Sequence, residues 1–406
     1  MNRAFKILTA GVFINLCLGV LYAWSVISKS LVTEMGWSAT QAGLPYTIAV
    51  VTFALGMLVA GNLQDRMGPR IMAVSGAAMV GLGLLISSVA TSPMMLLLSF
   101  GILVGTGIGF TYSCLSPTAM KWFHPSKKGM VNGLIAGGFG MAPLYLAPLS
   151  STLITNIGIN NTFMVLGAGV LLISIPLAFT IVTPEKGYKP EVPAGYTDSA
   201  KASTYNFTWR EMVKTRQFYM MWIAFAFASS AGLMLIGNIA NIAAQKGVAS
   251  AAALVSILAI ANTLGRVLMG MLSDKIGRTQ TLLLAIALQT LNMILFPMYT
   301  TMAGFVGGAI LAGIGYGALL SVFPSLTADY YGIKNYGSNF GVVYLAWGAS
   351  GFMGPVMASV IFDATGSFGL AYTISAVMLA IAAVMAFLIK PVDVEAMKQK
   401  GLLTAA

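Results

Sequence analysis

Twelve long apolar stretches, separated by short polar loops, leave this chain little choice of environment. They run at about Ile7 to Ser28, Gly43 to Asn62, and residues 71–90, 94–120, 129–152, 161–182, 217–244, 252–271, 280–298, 302–328, 336–362 and 368–389. Each is near the roughly 20 residues that an α-helix needs to cross a hydrocarbon core about 30 Å thick. With 58% hydrophobic and 8% charged residues over 406 positions, too few polar side chains remain to cover a soluble surface. The expected fold is an all-α polytopic membrane protein with the lipid bilayer as its solvent. The first stretch follows Arg3 and Lys6 as a secretory signal would. It is too long and lacks a small-residue cleavage site, so it is expected to stay as a span.

The basic residues set the orientation. With the N-terminus in the cytoplasm, nineteen lysines and arginines fall on the cytoplasmic side, against Lys29 and Lys246 outside and Arg266 within the membrane. This places both termini in the cytoplasm and the chain in the cell (inner) membrane, and it explains the net charge of +11 without nucleic acid. Cys17 and Cys114 lie in different spans with no metal or redox spacing and read as small hydrophobes. His124, beside Pro125 in a basic loop, reads as solvated.

A polar interval from Thr183 to Thr215, with Pro184, Pro190, Pro193, Gly187 and Gly195, has the composition of a linker. It divides the chain into a six-helix bundle at 1–182, a cytoplasmic linker at 183–215, a second bundle at 216–390 and a tail at 391–406. The linker's end, Trp209 to Lys214, reads as a short amphipathic helix at the membrane surface with Trp209 as anchor. An internal repeat supports the division: the loop holding Gly61, Asp65, Arg66, Gly68 and Arg70 recurs 209 residues later as Gly270, Asp274, Lys275, Gly277 and Arg278. Gly107-Ile108-Gly109-Phe110 is likewise echoed by Gly313-Ile314-Gly315-Tyr316. Twelve spans dividing as six and six in one orientation imply parallel repeats, with a substrate site expected between them near the midplane. The loop itself reads as structural: glycines turn, aspartate accepts backbone N–H groups at a helix start, and the basic residues hold the cytoplasmic side. Two copies at matching places among twelve spans resemble the major facilitator superfamily over nearly the whole chain.

One charge stands apart. Arg266 lies eight residues before Asp274, so its Cα is roughly 12 Å deeper in the membrane. An intramembrane charge costs at least about 2.5–3.5 kcal/mol on insertion scales and usually marks an ion or substrate path. The alternatives are an arginine that snorkels to the interface or one that pairs with a carboxylate for packing. All eleven acidic residues fall in loops or at helix ends, so the simplest compensating partner is an anionic ligand, and a planar carboxylate fits the guanidinium fork. The repeat-related position in the first half is Met57, which makes the two halves functionally unequal. Asn262, one turn before Arg266, is placed either to bond the arginine or a substrate oxygen, or to join helices. Tyr22, Tyr112 and Tyr316 offer hydroxyls or ring walls, with packing as the alternative.

A closer resemblance is to the oxalate–formate exchanger and monocarboxylate (lactate) transporter branch. It is carried by Gly19-Val20-Leu21-Tyr22-Ala23-Trp24, Trp122-Phe123-His124-Pro125-Ser126-Lys127-Lys128-Gly129, Gly265-Arg266 ahead of Ser273-Asp274-Lys275-Ile276-Gly277-Arg278, and Asn335-Tyr336-Gly337. The resemblance implies that Arg266 matches the family's carboxylate-binding arginine and that Leu21, Tyr22, Tyr112, Tyr316, Leu320 and Phe340 occupy pocket-lining places. Three departures refine it. Val343 stands where oxalate exchangers have a second cation, Leu21 and Leu320 stand where they have polar Gln and Tyr, and Asn262 stands where animal monocarboxylate transporters have an aspartate. One cation in a more apolar pocket favours a short monocarboxylate such as lactate or pyruvate. The leading reading is a secondary transporter working by alternating access with a proton as co-substrate, functional as a monomer; the runner-up is a carboxylate exchanger. No H-E-x-x-H, nucleophile–base motif or P-loop is present, so neither an enzyme nor an ATP-driven pump is expected, no cofactor or metal is implied, and a sensor lacks an output domain.

Overall fold

Polar and glycine residues at the edges of several apolar stretches fix where helices begin and stop. Ser38 caps one helix in a reciprocal capping box with Gln41, Thr301 caps another through the Gly304 N–H, and Gly36 and Gly366 end helices in the left-handed conformation. The computed structural model describes residues 3–185, 187–191, 205–248, 251–399 and 403. The side chains of Tyr22, Ser25, Ala39, Thr40, Ala240, Asn241, Ala244, Ala251, Ala252 and Asp363 also lie outside the description.

In chain order the helices are α1 (Arg3–Leu18), a 3₁₀ turn (Gly19–Ala23), α2 (Trp24–Met35), α3 (Ala39–Met67), α4 (Pro69–Ser87), α5 (Pro93–Leu96), a π-helical stretch (Leu97–Val104), α6 (Gly105–Met120) and α7 (Lys128–Ala178). They continue as α8 (Trp209–Met212), α9 (Arg216–Gln245), α10 (Ala251–Ile276), α11 (Arg278–Leu295), α12 (Met302–Tyr331), α13 (Tyr336–Thr365), α14 (Gly369–Leu388) and α15 (Val394–Gln399). Among the described residues, eleven helical segments are long and apolar enough to cross a membrane. The segment containing α7 crosses twice: its 51 residues would extend roughly 75 Å, more than two hydrocarbon thicknesses, and it breaks at Gly158, where φ is 79°. The expected count of twelve follows. Leu172, Phe352 and Phe387 are each more than two-thirds exposed, which suits a surface facing lipid.

The chain forms two compact units, one of Met1–Phe123 and Leu134–Pro190, the other of His124–Gly133 and Glu191–Ala406. Their internal packing repeats. In the first unit, a Cβ at Gly56 would strike Thr106, one at Gly105 would strike Ala49 and Thr52, and one at Gly109 would strike Phe53 and Met57. In the second, Gly265 meets Ile314, Gly313 meets Leu258 and Ala261, and Gly317 meets Asn262 and Arg266. These are backbone-level helix crossings, which small residues four apart permit. They relate α3 to α10 by 209 residues but α6 to α12 by 208. The sequence echo of Gly107-Ile108-Gly109-Phe110 with Gly313-Ile314-Gly315-Tyr316 is therefore two residues out of register. Tyr316 is the counterpart of Ile108, and Tyr112 is the counterpart of Leu320.

At the linker's end the expected short helix is present but is a single turn: α8 buries Glu211 and Met212, and Thr208 and Glu211 form a capping box. Phe207 is fully buried, and its carbonyl oxygen accepts from the side-chain amides of both Asn335 and Asn339. The Asn335-Tyr336-Gly337 motif thus holds this segment to the start of α13.

Candidate anion-binding site

Arg266 is among the largest fully buried side chains, at 1% exposure, so it does not snorkel. Its Nε donates to the Asn262 side-chain oxygen at 3.2 Å, one turn earlier on α10. Of the two roles open to Asn262, the structure shows the bond to arginine. The backbone around Arg266 is hemmed in: a Cβ at Gly317 would stand 2.9 Å from the Arg266 nitrogen, and one at Gly133, in the first turns of α7, would collide with the Arg266 carbonyl oxygen. Asn132, beside Gly133, donates its amide to the Ser321 carbonyl at 2.8 Å and to that of Leu320 at 3.5 Å. Pro324 lacks the N–H that would otherwise bond the Leu320 carbonyl, so Asn132 serves a group that the helix leaves open.

The second copy of the loop motif lies on the same helix. Asp274 accepts from the Gly129 and Met130 N–H groups, both at 2.8 Å, and from Arg278 at 2.6 Å. Asp329 completes the cluster, accepting from Lys128 at 2.8 Å and Arg278 at 2.9 Å. Gly270 lets the Gly129 backbone close on α10, and Gly277 takes a φ of 98°. In the first copy, Gly68 takes nearly the same turn at 87°, but Asp65, Arg66 and Arg70 are exposed. Burial lowers the pKa of Lys121, and the charge of Asp65 opposes that shift. One motif thus serves two environments, and the pairing of Lys128 with Asp329 was invisible to sequence reading because 201 residues separate them.

The remaining predicted positions fall in both units. Tyr316 and Leu320 share a face of α12 and are buried, and Tyr316 accepts a hydrogen bond from Trp347 at 2.7 Å. Phe340 stacks on Tyr336 and meets Tyr344 edge to face on α13, and Val343 on the same helix is fully buried. In the first unit, Leu21 is buried in the 3₁₀ turn, and Tyr112 makes edge contacts with Phe53 and Phe139, both at 5.5 Å. By the 209 and 208 offsets, Phe53, Met57 and Tyr112 take the places of Asn262, Arg266 and Leu320. The Tyr22 side chain lies outside the described residues. His124 is not simply solvated: its Nδ1 accepts the Ser126 N–H and caps the turn at Pro125–Lys127. An apolar cavity of about 180 Å³ in the first unit, among Cys17, Val20, Leu146 and Val170, has no cationic lining and is not an anion receptor. Among the described residues, no group of three or more His, Cys, Asp or Glu side chains could hold a metal ion.

Apolar membrane-length helices in two internally similar units, with the Arg266 guanidinium buried in the second, have the architecture of a membrane transporter. The chain belongs to the Major Facilitator Superfamily, whose family model matches residues 8–246 and 227–405. It is 28% identical over 395 residues to the oxalate:formate antiporter of Oxalobacter formigenes, covering 96% of this chain and 92% of that one. It is 27% identical over 347 residues to monocarboxylate transporter 12 of Mus musculus, covering 78% and 70%. The fold is similar to the crystal structure of the Escherichia coli fucose:proton symporter FucP, with a TM-score of 0.74 at 14% identity over 95% of this chain and 98% of that one.

Proposed function

We propose that this protein is a secondary active transporter of short monocarboxylates of the lactate and pyruvate type, and that Arg266 receives the carboxylate. The observation that carries the reading is the Arg266–Asn262 bond: a fully buried guanidinium held in a set orientation by a neutral amide. An amide orients the fork without neutralising it, as an aspartate at the same place would. With Nε engaged, the edge that meets a planar carboxylate is the Nη1–Nη2 edge. Val343 in place of a second cation supports a monoanion, and the names of the two relatives, an oxalate:formate antiporter and a monocarboxylate transporter, support a carboxylate. A proton accompanies the anion in this reading, carried as the substrate's own acid form when the carboxylate leaves Arg266. Carboxylate exchange, supported by the oxalate:formate antiporter, is the second reading. Uptake of labelled lactate, formate and oxalate into proteoliposomes, with and without an imposed pH gradient, separates them. Symport gives lactate accumulation driven by an inward proton gradient; exchange gives uptake only against an internal carboxylate.

A further inference from the structure

The apolar cavity of about 180 Å³ in the first unit lies where α1 meets both arms of α7. Tyr145 and Leu149 line it from one face of the arm before Gly158, and Val165, Gly169 and Ile173 from one face of the arm after it. Its floor is made of buried side chains, Val20, Leu146 and Val170, whereas Leu149, Val165 and Ile173 are exposed. The cavity is thus continuous with the lipid-facing surface that Leu172 marks. Gly169 leaves it room, since a Cβ there would meet nothing within 4 Å.

Depth and lining together choose the occupant. Gly158 joins two crossings at the membrane edge, and Leu149 and Gly169 lie roughly 14–17 Å from it along their helices, about half of a 30 Å hydrocarbon core. Lipid tails reach that depth, and headgroups do not. The Tyr145 hydroxyl already donates to the Leu16 carbonyl at 2.7 Å, where α1 gives way to the 3₁₀ turn. The lining offers no cation to a carboxylate or a phosphate, and an apolar cavity of about 150 Å³ stays dry and takes an apolar guest.

We propose that this cavity is a lipid site, which takes the acyl chain of a membrane phospholipid behind the 3₁₀ turn between α1 and α2. The chain enters past the exposed side chains of Leu149 and Val165 and lies against Cys17, Val20 and Val170.

The test uses the whole chain in nanodiscs that contain a phosphatidylcholine with a photoreactive diazirine midway along one acyl chain, with adducts mapped by mass spectrometry. Adducts should form on Cys17 and Val170 as well as on the lipid-exposed Phe387, and Cys114, fully buried elsewhere, should carry none. Gly169→Leu fills the cavity and should lower the adducts on Cys17 and Val170 at least about fourfold, the factor that one buried methylene carries, while those on Phe387 stay unchanged. Leu149→Trp narrows the mouth instead and should act in the same direction, which keeps the test decisive if Gly169→Leu does not accumulate. A phosphatidylcholine with the diazirine on its headgroup should label neither Cys17 nor Val170. Labelling of Phe387 without the cavity residues, cavity adducts that neither variant lowers, or cavity labelling by the headgroup probe would each overturn the proposal. Lactate uptake is not the readout, so the outcome is independent of the role of Arg266.

Discussion

The side-chain oxygen of Asn262 accepts from Nε of Arg266 across one turn of α10, and both residues are buried where Gly313 and Gly317 of α12 press on their backbone. The arginine is thus oriented by a neighbour on its own helix and immobilised by a helix beside it.

Removing the orienting amide should weaken binding without removing the charge. A hydrogen bond to a charged group contributes about 1.5–3 kcal/mol, so Asn262→Ala should raise KM for lactate by roughly tenfold or more. Asn262→Asp should do worse than Ala, because a carboxylate at that place competes with the substrate for the guanidinium. Initial-rate uptake in proteoliposomes checks both.

The crossing predicts a contrast between two glycines of α12. A Cβ at Gly317 would collide with the Asn262 carbonyl oxygen, whereas Gly307 has open space around it. Gly317→Ala should cost about 1–3 kcal/mol and lower the melting temperature of the purified protein, while Gly307→Ala should leave it unchanged.

Selectivity follows from Val343, which is fully buried and neutral. Oxalate should compete with lactate uptake at least about tenfold less well than pyruvate does, since a second desolvated carboxylate without a cation costs on the order of 1.4 kcal/mol or more. Competition by oxalate equal to that of pyruvate would count against a one-cation site.

Orientation is testable with single cysteines after Cys17 and Cys114 are replaced. Lys127 and Lys29 are both exposed. In intact cells a cysteine at Lys29 should react with a membrane-impermeant thiol reagent and one at Lys127 should not. The reverse pattern would invert the topology.

Much of this was legible in the residues. Apolar length gave the spans, the repeated loop gave the superfamily, and the depth of Arg266 relative to Asp274 singled out the arginine that the structure buries. The register of the second repeat was not legible. Local identity matched Gly107-Ile108-Gly109 to Gly313-Ile314-Gly315, whereas the physical constraint is which positions must lack a side chain, and that pairs Gly105 and Gly109 with Gly313 and Gly317. Trp347 gave no signal either, because a tryptophan in a membrane helix reads as packing until its N–H is seen on Tyr316. Asp329, near the end of α12, is joined to Lys128 and Arg278. With that carboxylate engaged, an inward proton gradient should accelerate lactate uptake, and no single Asp→Asn or Glu→Gln change should abolish the acceleration.

The central claim is that Arg266 receives the carboxylate, and it is met most directly by lactate uptake into proteoliposomes for wild type, Arg266→Lys and Arg266→Ala, each confirmed as folded. Lysine keeps the charge but loses the two-pronged geometry, and alanine loses both. Removing one partner of a buried charge pair costs about 3–5 kcal/mol, so the account predicts a clear fall for lysine and no measurable uptake for alanine. Saturable lactate uptake by Arg266→Ala at a rate near wild type would contradict it.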